Sequence, residues 1–153
     1  MRTATQHDRV SDCLDLAEVA AEPATLHLVP EPFAVRRARA LVAERCAAAR
    51  LDADVTDTAV LLTSEVVTNA VVHGRSSARL TVALEPGGVL VEVGDDNSRP
   101  PRMVEQDREA LDGRGMPIVD ALAHRWGVCR TGQGKVVWFE VHAGPSAYDR
   151  AHG

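Results

Sequence analysis

Glu65 and Asn69 are the first residues of this sequence whose types and spacing could carry out chemistry. They lie four residues apart in the apolar stretch 61–74, so a helix places both on one buried face, and the apolar side chains of that face are Leu61, Leu62, Val66 and Val72. A carboxylate there can accept a proton, and a carboxamide oxygen can bind a hard metal ion. Because buried polar groups need partners, function is one reason to keep such a pair. The alternative is an ordinary core in which backbone groups satisfy both side chains.

Two further segments offer groups that suit a phosphorylated ligand. Asp95 stands at the end of an apolar strand and opens a loop, and Gly113-Arg114-Gly115 precedes a short predicted helix. Glycines at a helix N-terminus let the backbone approach an anion, and the free N–H groups and the helix dipole favour phosphate there. Each segment alone is a weak signal, but the order and separation of all three are more specific.

The composition is that of one globular domain. The chain has 153 residues, of which 45% are apolar and 25% charged, and its net charge of −5 argues against binding to nucleic acid. No apolar run approaches the roughly 18 residues of a membrane span, and the N-terminus lacks the apolar region of a signal peptide. The three cysteines, Cys13, Cys46 and Cys129, are scattered, so we expect no metal cage and a reducing cytoplasm.

The elements that must position these groups follow from the hydrophobic pattern. Alternating apolar residues predict strands, and apolar residues at helical spacing predict helices. The predicted strands are 25–29, 80–84, 89–94, 126–130 and 136–142, and the predicted helices are 32–50, 55–73 and 116–123. Hairpins next to segregated helices indicate an α/β (α+β) two-layer sandwich, with a mixed, mostly antiparallel sheet and about three helices on one face.

We expect three regions along the chain. Residues 1–24 form a flexible N-terminal tail whose apolar patch at 14–21 suits a helical turn, residues 25–142 form the domain, and residues 143–153 form a polar C-terminal tail. The N-terminal tail is either a regulatory segment or a dispensable extension. Residues 97–112 show no periodicity and carry many charges, which is typical of a functional lid or of a disordered loop.

Three other conspicuous side chains are expected to pack rather than to react. Cys46 falls on the inner stripe of the helix at 32–50, which predicts a small core hydrophobe. Trp126 and Trp138 lie in apolar strand patterns, which indicates packing in the core and on a face of the sheet rather than a ligand platform.

Four segments resemble the sequence boxes of the GHKL (Bergerat-fold) ATPase superfamily. They are SEVVTNAVVHG at 64–74 for the N box, VEVGDDNSRPP at 91–101 for the G1 segment, GRGMPIVDALAHRWGV at 113–128 for the G2 segment and GKVVWFEV at 134–141 for the closing strand. More closely, the chain resembles the anti-sigma-factor serine/threonine kinases and the related small ATP-binding regulators of actinobacteria. The resemblance spans residues 25–142 and implies a Bergerat ATP-binding fold.

The resemblance implies a role for Glu65, for Asn69 and for Asp95. Asn69 would bind the Mg²⁺ that bridges the ATP phosphates. Glu65 would be the general base that takes a proton from a serine or threonine hydroxyl of a protein substrate, or from water. Asp95 would accept a hydrogen bond from the adenine amino group. Phosphoryl transfer depends on positioning and charge stabilisation more than on covalent chemistry, which suits so small a set of groups.

The other ATP-binding positions that the resemblance implies surround the phosphates. Gly113, Arg114 and Gly115 would cradle the phosphates at the start of the helix, with Met116 beside them. His73 would lie at the edge of the site, and an ordinary histidine at a helix end is the alternative.

The chain departs from the superfamily pattern at two places. After the G1 acid the superfamily has a glycine-rich D-x-G-x-G, whereas this chain has Asn97 and Arg99 at the glycine positions, which predicts a stiffer and more polar start of the lid. Many relatives carry a threonine in the closing strand near the adenine, whereas this chain has Gly134-Lys135-Val136 and no hydroxyl.

The leading hypothesis is a cytoplasmic, Mg-ATP-dependent serine/threonine protein kinase of the anti-sigma type. Its partner would be a sigma factor that it sequesters or a small anti-sigma-factor antagonist that it phosphorylates, with no direct contact to nucleic acid or membrane. The first alternative is a catalytically inactive ATP-binding module that acts by sequestration. A detached histidine-kinase catalytic domain is less favoured, because no phosphoacceptor helix pair precedes residue 25. Related kinases often dimerise, so the exposed side of the sheet is a candidate surface for a second copy.

Overall fold

A computed structural model describes residues 23–95, 116–131 and 134–144. Several of the expectations fall outside these ranges. They concern the tail residues 1–22, the loop at 97–112, the phosphate-binding residues Gly113, Arg114 and Gly115, and the C-terminal residues 145–153.

Five strands and three α-helices make up the described part of the chain, and the second helix continues into a π-helical segment. The strands are β1 (Ala24–Leu28), β2 (Ala78–Glu85), β3 (Gly88–Asp95), β4 (Arg125–Thr131) and β5 (Gly134–His142). The helices are α1 (Phe33–Ala48), α2 (Ala53–Val67), the π-segment (Thr68–His73) and α3 (Met116–Leu122). Every element is present in the predicted order, and the boundaries shift by a few residues.

The strands form one sheet in the order β1-β2-β3-β5-β4, and each described pair is antiparallel. A tight turn at Pro86-Gly87 joins β2 to β3, and Gly87 adopts the positive φ of 72° that glycine tolerates best. The predicted two-layer architecture with the helices on one face is therefore confirmed.

The core lies between the helices and one face of the sheet. Because successive strand residues point to opposite faces, one alternating set packs under the helices. The buried strand residues of this set are Leu28, Leu80, Val82, Val89, Val91, Val93, Phe139 and Val141. They meet the stripes of α1 and α2, where Ala38, Val42 and Cys46 are buried as predicted from their helical spacing. Burial raises the pKa of the Cys46 thiol, which agrees with its expected role as a small core hydrophobe.

The helix that carries Glu65 and Asn69 departs from the prediction in two ways. It is α-helical only to Val67 and continues as a π-helix, and only part of the predicted face is buried. Leu61 and Val72 of that face are 41% and 42% exposed, whereas Leu62 and Val66 of the same face are buried. Val67 and Val71 on the opposite side of the helix are buried as well, because the helix packs against both α1 and the sheet. The buried stripe of the helix consists of Val55, Ala59, Leu62, Thr63, Val66, Val67 and Val71.

The same segment, Ala53–His73, is long and apolar enough to cross a membrane by length and composition. This finding differs from the expectation that no run reaches that length. In the fold its buried stripe forms the core with α1 and the sheet, which accounts for the apolar composition without a membrane.

The face of the sheet that points away from the helices also holds buried apolar side chains. Ala83, Leu90, Cys129 and Trp138 are 0%, 0%, 1% and 4% exposed, although they are not part of the core beneath the helices. We call this surface the outer face. Trp138 therefore packs on a sheet face as predicted, and Trp126 packs against the core. Cys129 is held in a disulfide, which the scattered cysteine positions did not predict.

Candidate functional site

The site begins with Glu65 and Asn69, which flank the buried stripe of their helix. Both residues are half-buried. The Nδ2 atom of Asn69 is buried and has no hydrogen-bond partner. An unsatisfied buried amide costs free energy, so its retention in a folded protein needs an explanation such as an unplaced ligand or ion. The structure thus disfavours the alternative in which backbone groups satisfy both side chains.

Asn69 lies near the start of the π-helical segment that follows the helix of Glu65. The amide of Gly74 donates to the carbonyl of Asn69 at 2.9 Å, a bond that spans five residues instead of four. Each residue of the wider π-turn rotates by less than in an α-helix, so residues four apart lie more nearly in line. π-segments inside α-helices occur frequently at functional sites. A Cβ atom at Gly74 would lie 2.6 Å from the carbonyl oxygen of Ala70, so glycine fits this helix end best.

Asp95 lies at the end of β3 that is nearest to the π-segment. It is paired with Ala78 on β2 and with Lys135 on β5. Only residues 74–77 separate the π-segment from β2, and the π-segment contacts β3. The short connection therefore brings the helix end that carries Asn69 to the end of the sheet at which Asp95 lies. Both Asp95 and Lys135 occupy strand positions that point to the helix side.

Gly134 fits closely against Asp95. A Cβ atom at this position would lie 2.2 Å from the backbone carbonyl oxygen of Asp95 and 3.2 Å from its Oδ1. Any side chain would force β5 away from the end of β3 or turn the Asp95 carboxylate aside. The second glycine of the T-G-Q-G stretch at 131–134 is the sequence signal for this contact, because a glycine permits the close approach of a neighbouring strand.

The remaining predicted residues lie at the rim of the site or outside the described ranges. His73 is exposed at the end of the π-segment. Met116 is the first residue of α3, which packs against α2. The indole Nε1 of Trp126 donates to Oδ1 of Asp120 at 2.8 Å, which ties α3 to β4. The structure thus brings Glu65, Asn69 and Asp95 to one end of the sheet and leaves Gly113, Arg114 and Gly115 undescribed.

These groups fit a nucleotide with a divalent cation. A carboxamide can offer its oxygen to Mg²⁺ and its NH₂ group to a phosphate oxygen, which would satisfy the buried amide of Asn69. The carboxylate of Glu65 is close enough along the helix to accept a proton beside that position. At the strand end, the Asp95 carboxylate can accept a hydrogen bond from an amino group.

A second cluster of ionisable groups lies at the opposite end of the sheet. Arg125 donates to both carboxylate oxygens of Glu140, at 3.0 and 2.7 Å, and Nε2 of His142 lies 3.3 Å from Glu140 and 3.1 Å from Glu85. Burial disfavours the ionised form of Glu140, but Arg125 and His142 outweigh it and lower the pKa of that carboxyl. Burial and the charge of Glu140 raise the pKa of Glu85.

Within the described ranges, this cluster is the group of side chains closest to metal-ligand geometry. Ligand atoms of Glu85, Glu140 and His142 lie within 4.8 Å of one another. The bidentate contact of Arg125 already satisfies Glu140, which is typical of an ion-pair network. This ion-pair network joins β4 to β5. Glu85 and His142 pair with Gly88, which lies seven residues before Asp95 on β3, or about 24 Å at the usual rise of a strand.

Comparison with known proteins agrees with this arrangement. The sequence model of the histidine kinase-like ATPase domain matches residues 28–141, which include Glu65, Asn69 and Asp95. The chain belongs to the histidine kinase-like ATPase domain family. The resemblance to GHKL ATPases is therefore confirmed, and nucleotide binding is the activity that this ATPase domain implies. No curated protein matches the chain.

The fold is also similar to that of a solved structure. The crystal structure of the RsbU and RsbW domains of Rv1364c from Mycobacterium tuberculosis superimposes with a TM-score of 0.62 at 22% sequence identity. The match covers 82% of this chain and 34% of that one, so the present chain spans about a third of the length of its structural neighbour. At this identity the similarity concerns the fold.

Proposed function

We propose that this protein binds Mg-ATP and acts as a serine/threonine protein kinase of the anti-sigma type. The observation that carries the proposal is the buried, unpartnered amide of Asn69, one helical turn from Glu65 and beside the strand end at Asp95. Because the chain belongs to an ATPase-domain family, a phosphate oxygen is a suitable acceptor for this unpartnered N–H group, and the Oδ1 atom of the same amide would bind the cation. The partner protein would be a sigma factor or a small antagonist of an anti-sigma factor.

Each residue contributes one function in this proposal. When bound, Mg-ATP would supply the transferable phosphoryl group and the charge that stabilises its transfer. Asn69 would hold the cation and one phosphate oxygen, and Asp95 would select adenine by accepting a hydrogen bond from its amino group. Glu65 would accept the proton of the partner's hydroxyl as that oxygen attacks. Gly113, Arg114, Gly115 and Met116 would bind the phosphates, with His73 at the rim.

Glu65→Gln is the variant that tests the catalytic part of the proposal. The amide keeps the size of the side chain but cannot accept a proton, so phosphoryl transfer to a purified anti-sigma-factor antagonist should fall by at least about a hundredfold. The affinity for Mg-ATP and for the antagonist should change little. Radiolabel transfer from γ-labelled ATP and calorimetry measure the two quantities. Asp57→Asn is the matched control, because Asp57 is an exposed acid on the same helix.

A catalytically inactive binding module is the second candidate function. The closing strand supports it, because Gly134-Lys135-Val136 offers no hydroxyl to the adenine. For a module of this kind, Glu65→Gln would leave partner regulation unchanged, and the wild-type protein would form no phosphoprotein with any antagonist. Loss of regulation with retained partner binding is the outcome that the kinase proposal requires. For either function we propose a cytoplasmic location.

A further inference from the structure

The outer face of the sheet is buried, yet no described helix lies on it. Leu90 and Ala83 are fully buried and Trp138 is 4% exposed. Each occupies a strand position that points away from the helices, and none belongs to the core beneath them. Apolar groups become buried on a sheet face only when another part of a chain packs on it. The occupant must therefore come from residues outside 23–95, 116–131 and 134–144, or from a second chain.

Glu92 gives a second sign that the outer face is covered. It is paired with Thr81 and with Trp138, in the middle of the sheet, and its side chain also points to the outer face. Burial raises the pKa of the Glu92 carboxyl from 4.5 to about 7. A glutamate on an open sheet surface would remain hydrated and would keep its ordinary pKa.

The cysteines indicate which segment covers the face. Cys129 lies on the outer face and is held in a disulfide, whereas Cys46 is a free thiol buried between α1 and the rest of the core. The sequence has three cysteines, so Cys13 is the remaining candidate partner for Cys129.

The sequence around Cys13 has the pattern of a helix with one apolar side. Cys13, Leu16, Ala17 and Ala20 recur at the spacing i, i+3, i+4, i+7, which predicts a single apolar stripe. Asp15, Glu18 and Glu22 fall between them and predict a charged opposite side. Such a helix needs an apolar surface to pack on, and the outer face offers one of matching character.

The length of this segment also fits the width of the sheet. Cys129 lies on the edge strand β4, and Ala24 begins the opposite edge strand β1. Four strand spacings of about 4.8 Å and an offset of three residues separate them by roughly 21 Å. A helix from Cys13 to residue 21, followed by an extended connection to Ala24, spans about 22 Å. A helix whose Cys13 is joined to Cys129 on β4 is therefore long enough to cross the outer face and reach β1.

We propose that residues 12–21 dock as a helix across the outer face of the sheet, and that a disulfide between Cys13 and Cys129 fastens them there. The charged side of the segment would face solvent, and its apolar stripe would cover the centre of the face around Trp138 and Leu90. In this arrangement the N-terminal region closes the surface that related kinases would offer to a second copy.

The disulfide forms by exchange with a low-molecular-weight disulfide. The thiolate of one cysteine attacks a sulfur of the small disulfide, and one small thiol leaves. The thiolate of the second cysteine then attacks the mixed disulfide, forms the protein S–S bond and releases the second small thiol. The two protons of the protein thiols go to the two released thiols. In a reducing cytoplasm a disulfide of this kind is transient and redox-sensing rather than permanent.

Peptide mapping of the full chain tests the pairing. The protein is equilibrated in buffers of reduced and oxidised glutathione, blocked with N-ethylmaleimide and digested with trypsin without reduction. Cleavage at arginine places Cys13 in peptide 10–36, Cys46 in 46–50 and Cys129 in 126–130. We expect peptides 10–36 and 126–130 linked in a monomer, with peptide 46–50 unlinked as the internal control. A link between two chains, a link to peptide 46–50, or alkylation of all three thiols under oxidising conditions would overturn the pairing.

A surface variant tests the docking separately from the disulfide. Leu16→Glu places a charge on the apolar stripe, so the ratio of disulfide to dithiol at a fixed glutathione potential should fall at least about tenfold, because the docked state raises the effective concentration of the two thiols. Glu18→Gln changes the charged side and should alter the ratio by less than about twofold. Equal ratios in both variants and the wild type would show that residues 12–21 do not dock on the outer face.

Discussion

At the scale of single residues, Asn69 is the position where the proposed function would conflict with stability. Its buried amide nitrogen has no partner, which costs stability in the ligand-free protein. An apolar residue of similar reach would pack on the flank of the helix without this cost. The unpaired Nδ2 donor therefore supports a bound acceptor such as a phosphate oxygen, and this support is independent of the spacing to Glu65.

Asn69→Ala should separate the two effects. We expect the free energy of unfolding of the ligand-free variant to equal that of the wild type or to exceed it by up to about 1 kcal/mol, because a buried unsatisfied group has been removed. The rise in melting temperature on addition of Mg-ATP should disappear. Thermal unfolding with and without nucleotide measures both. A strongly destabilised variant that still gains stability from Mg-ATP would mean that Asn69 is a structural residue.

Glu92 predicts a pH dependence of stability. Its folded pKa of about 7 lies above the ordinary 4.5, so the native state retains a proton that the unfolded chain releases. The free energy of unfolding should therefore fall as the pH rises from about 4.5 to 7 and should level off above that. Glu92→Gln removes the titrating carboxyl and therefore removes this fall of stability with rising pH. Relative to the wild type, the variant should gain on the order of 1 kcal/mol across this window, less than the whole shift implies because part of the carboxyl stays hydrated.

Urea denaturation at pH 5, 6, 7 and 8 measures this difference. Glu44→Gln is the control, because Glu44 is an exposed acid on α1. A constant difference between Glu92→Gln and the wild type at all four values would contradict a titration of Glu92 in this range.

At the scale of elements, the site depends on three pieces of backbone that meet at one end of the sheet. The π-segment carries Asn69, the short connection 74–77 holds that helix end near β2, and β3 ends in Asp95. β5 completes the arrangement, because Gly134 lies against the backbone of Asp95. The position of the Asp95 carboxylate thus depends on the strand beside it.

Gly134→Ala tests the contact between β5 and β3. The new methyl group would lie 2.2 Å from the Asp95 carbonyl oxygen, so one of the two strands must shift. We expect a loss of stability of about 1–3 kcal/mol and weaker ATP binding through the displaced Asp95. Gly94→Ala is the neighbouring control. Its methyl group would lie 3.3 Å from a methyl of Val136 and would meet no backbone atom closer than 4.0 Å, so this variant should lose less stability. Equal effects in denaturation and calorimetry would show that Gly134 has no special contact with the site.

At the scale of the whole molecule, the sequence predicts most of the architecture because its patterns are local. Alternation in β2, β3 and β5 and the helical spacing of Ala38, Val42 and Cys46 are each contained in one element. The element order and the helical layer over one face of the sheet follow from these local patterns, and the match to the ATPase domain family confirms the superfamily assigned from the boxes.

What the sequence does not predict depends on contacts between distant elements. The change to a π-helix at Thr68 leaves no mark in the apolar spacing, and the helical wheel alone does not show that Leu61 and Val72 are exposed while Leu62 and Val66 are buried. The helix has apolar residues on both sides, and only its packing against α1 and the sheet decides which of them are buried. The disulfide of Cys129 joins remote positions, so composition alone pointed to free thiols.

Calorimetry with ATP and GTP is the most direct test of the proposal that one end of the sheet binds Mg-ATP. The wild-type protein should bind ATP only when Mg²⁺ is present and should bind GTP at least about tenfold more weakly, because guanine carries a carbonyl oxygen at the ring position where adenine carries the amino group that we propose Asp95 recognises. Asp95→Ala should lose ATP binding, and Asp57→Asn should keep it. Equal binding of ATP and GTP, ATP binding that is unchanged in Asp95→Ala, or no binding of either nucleotide would contradict the account.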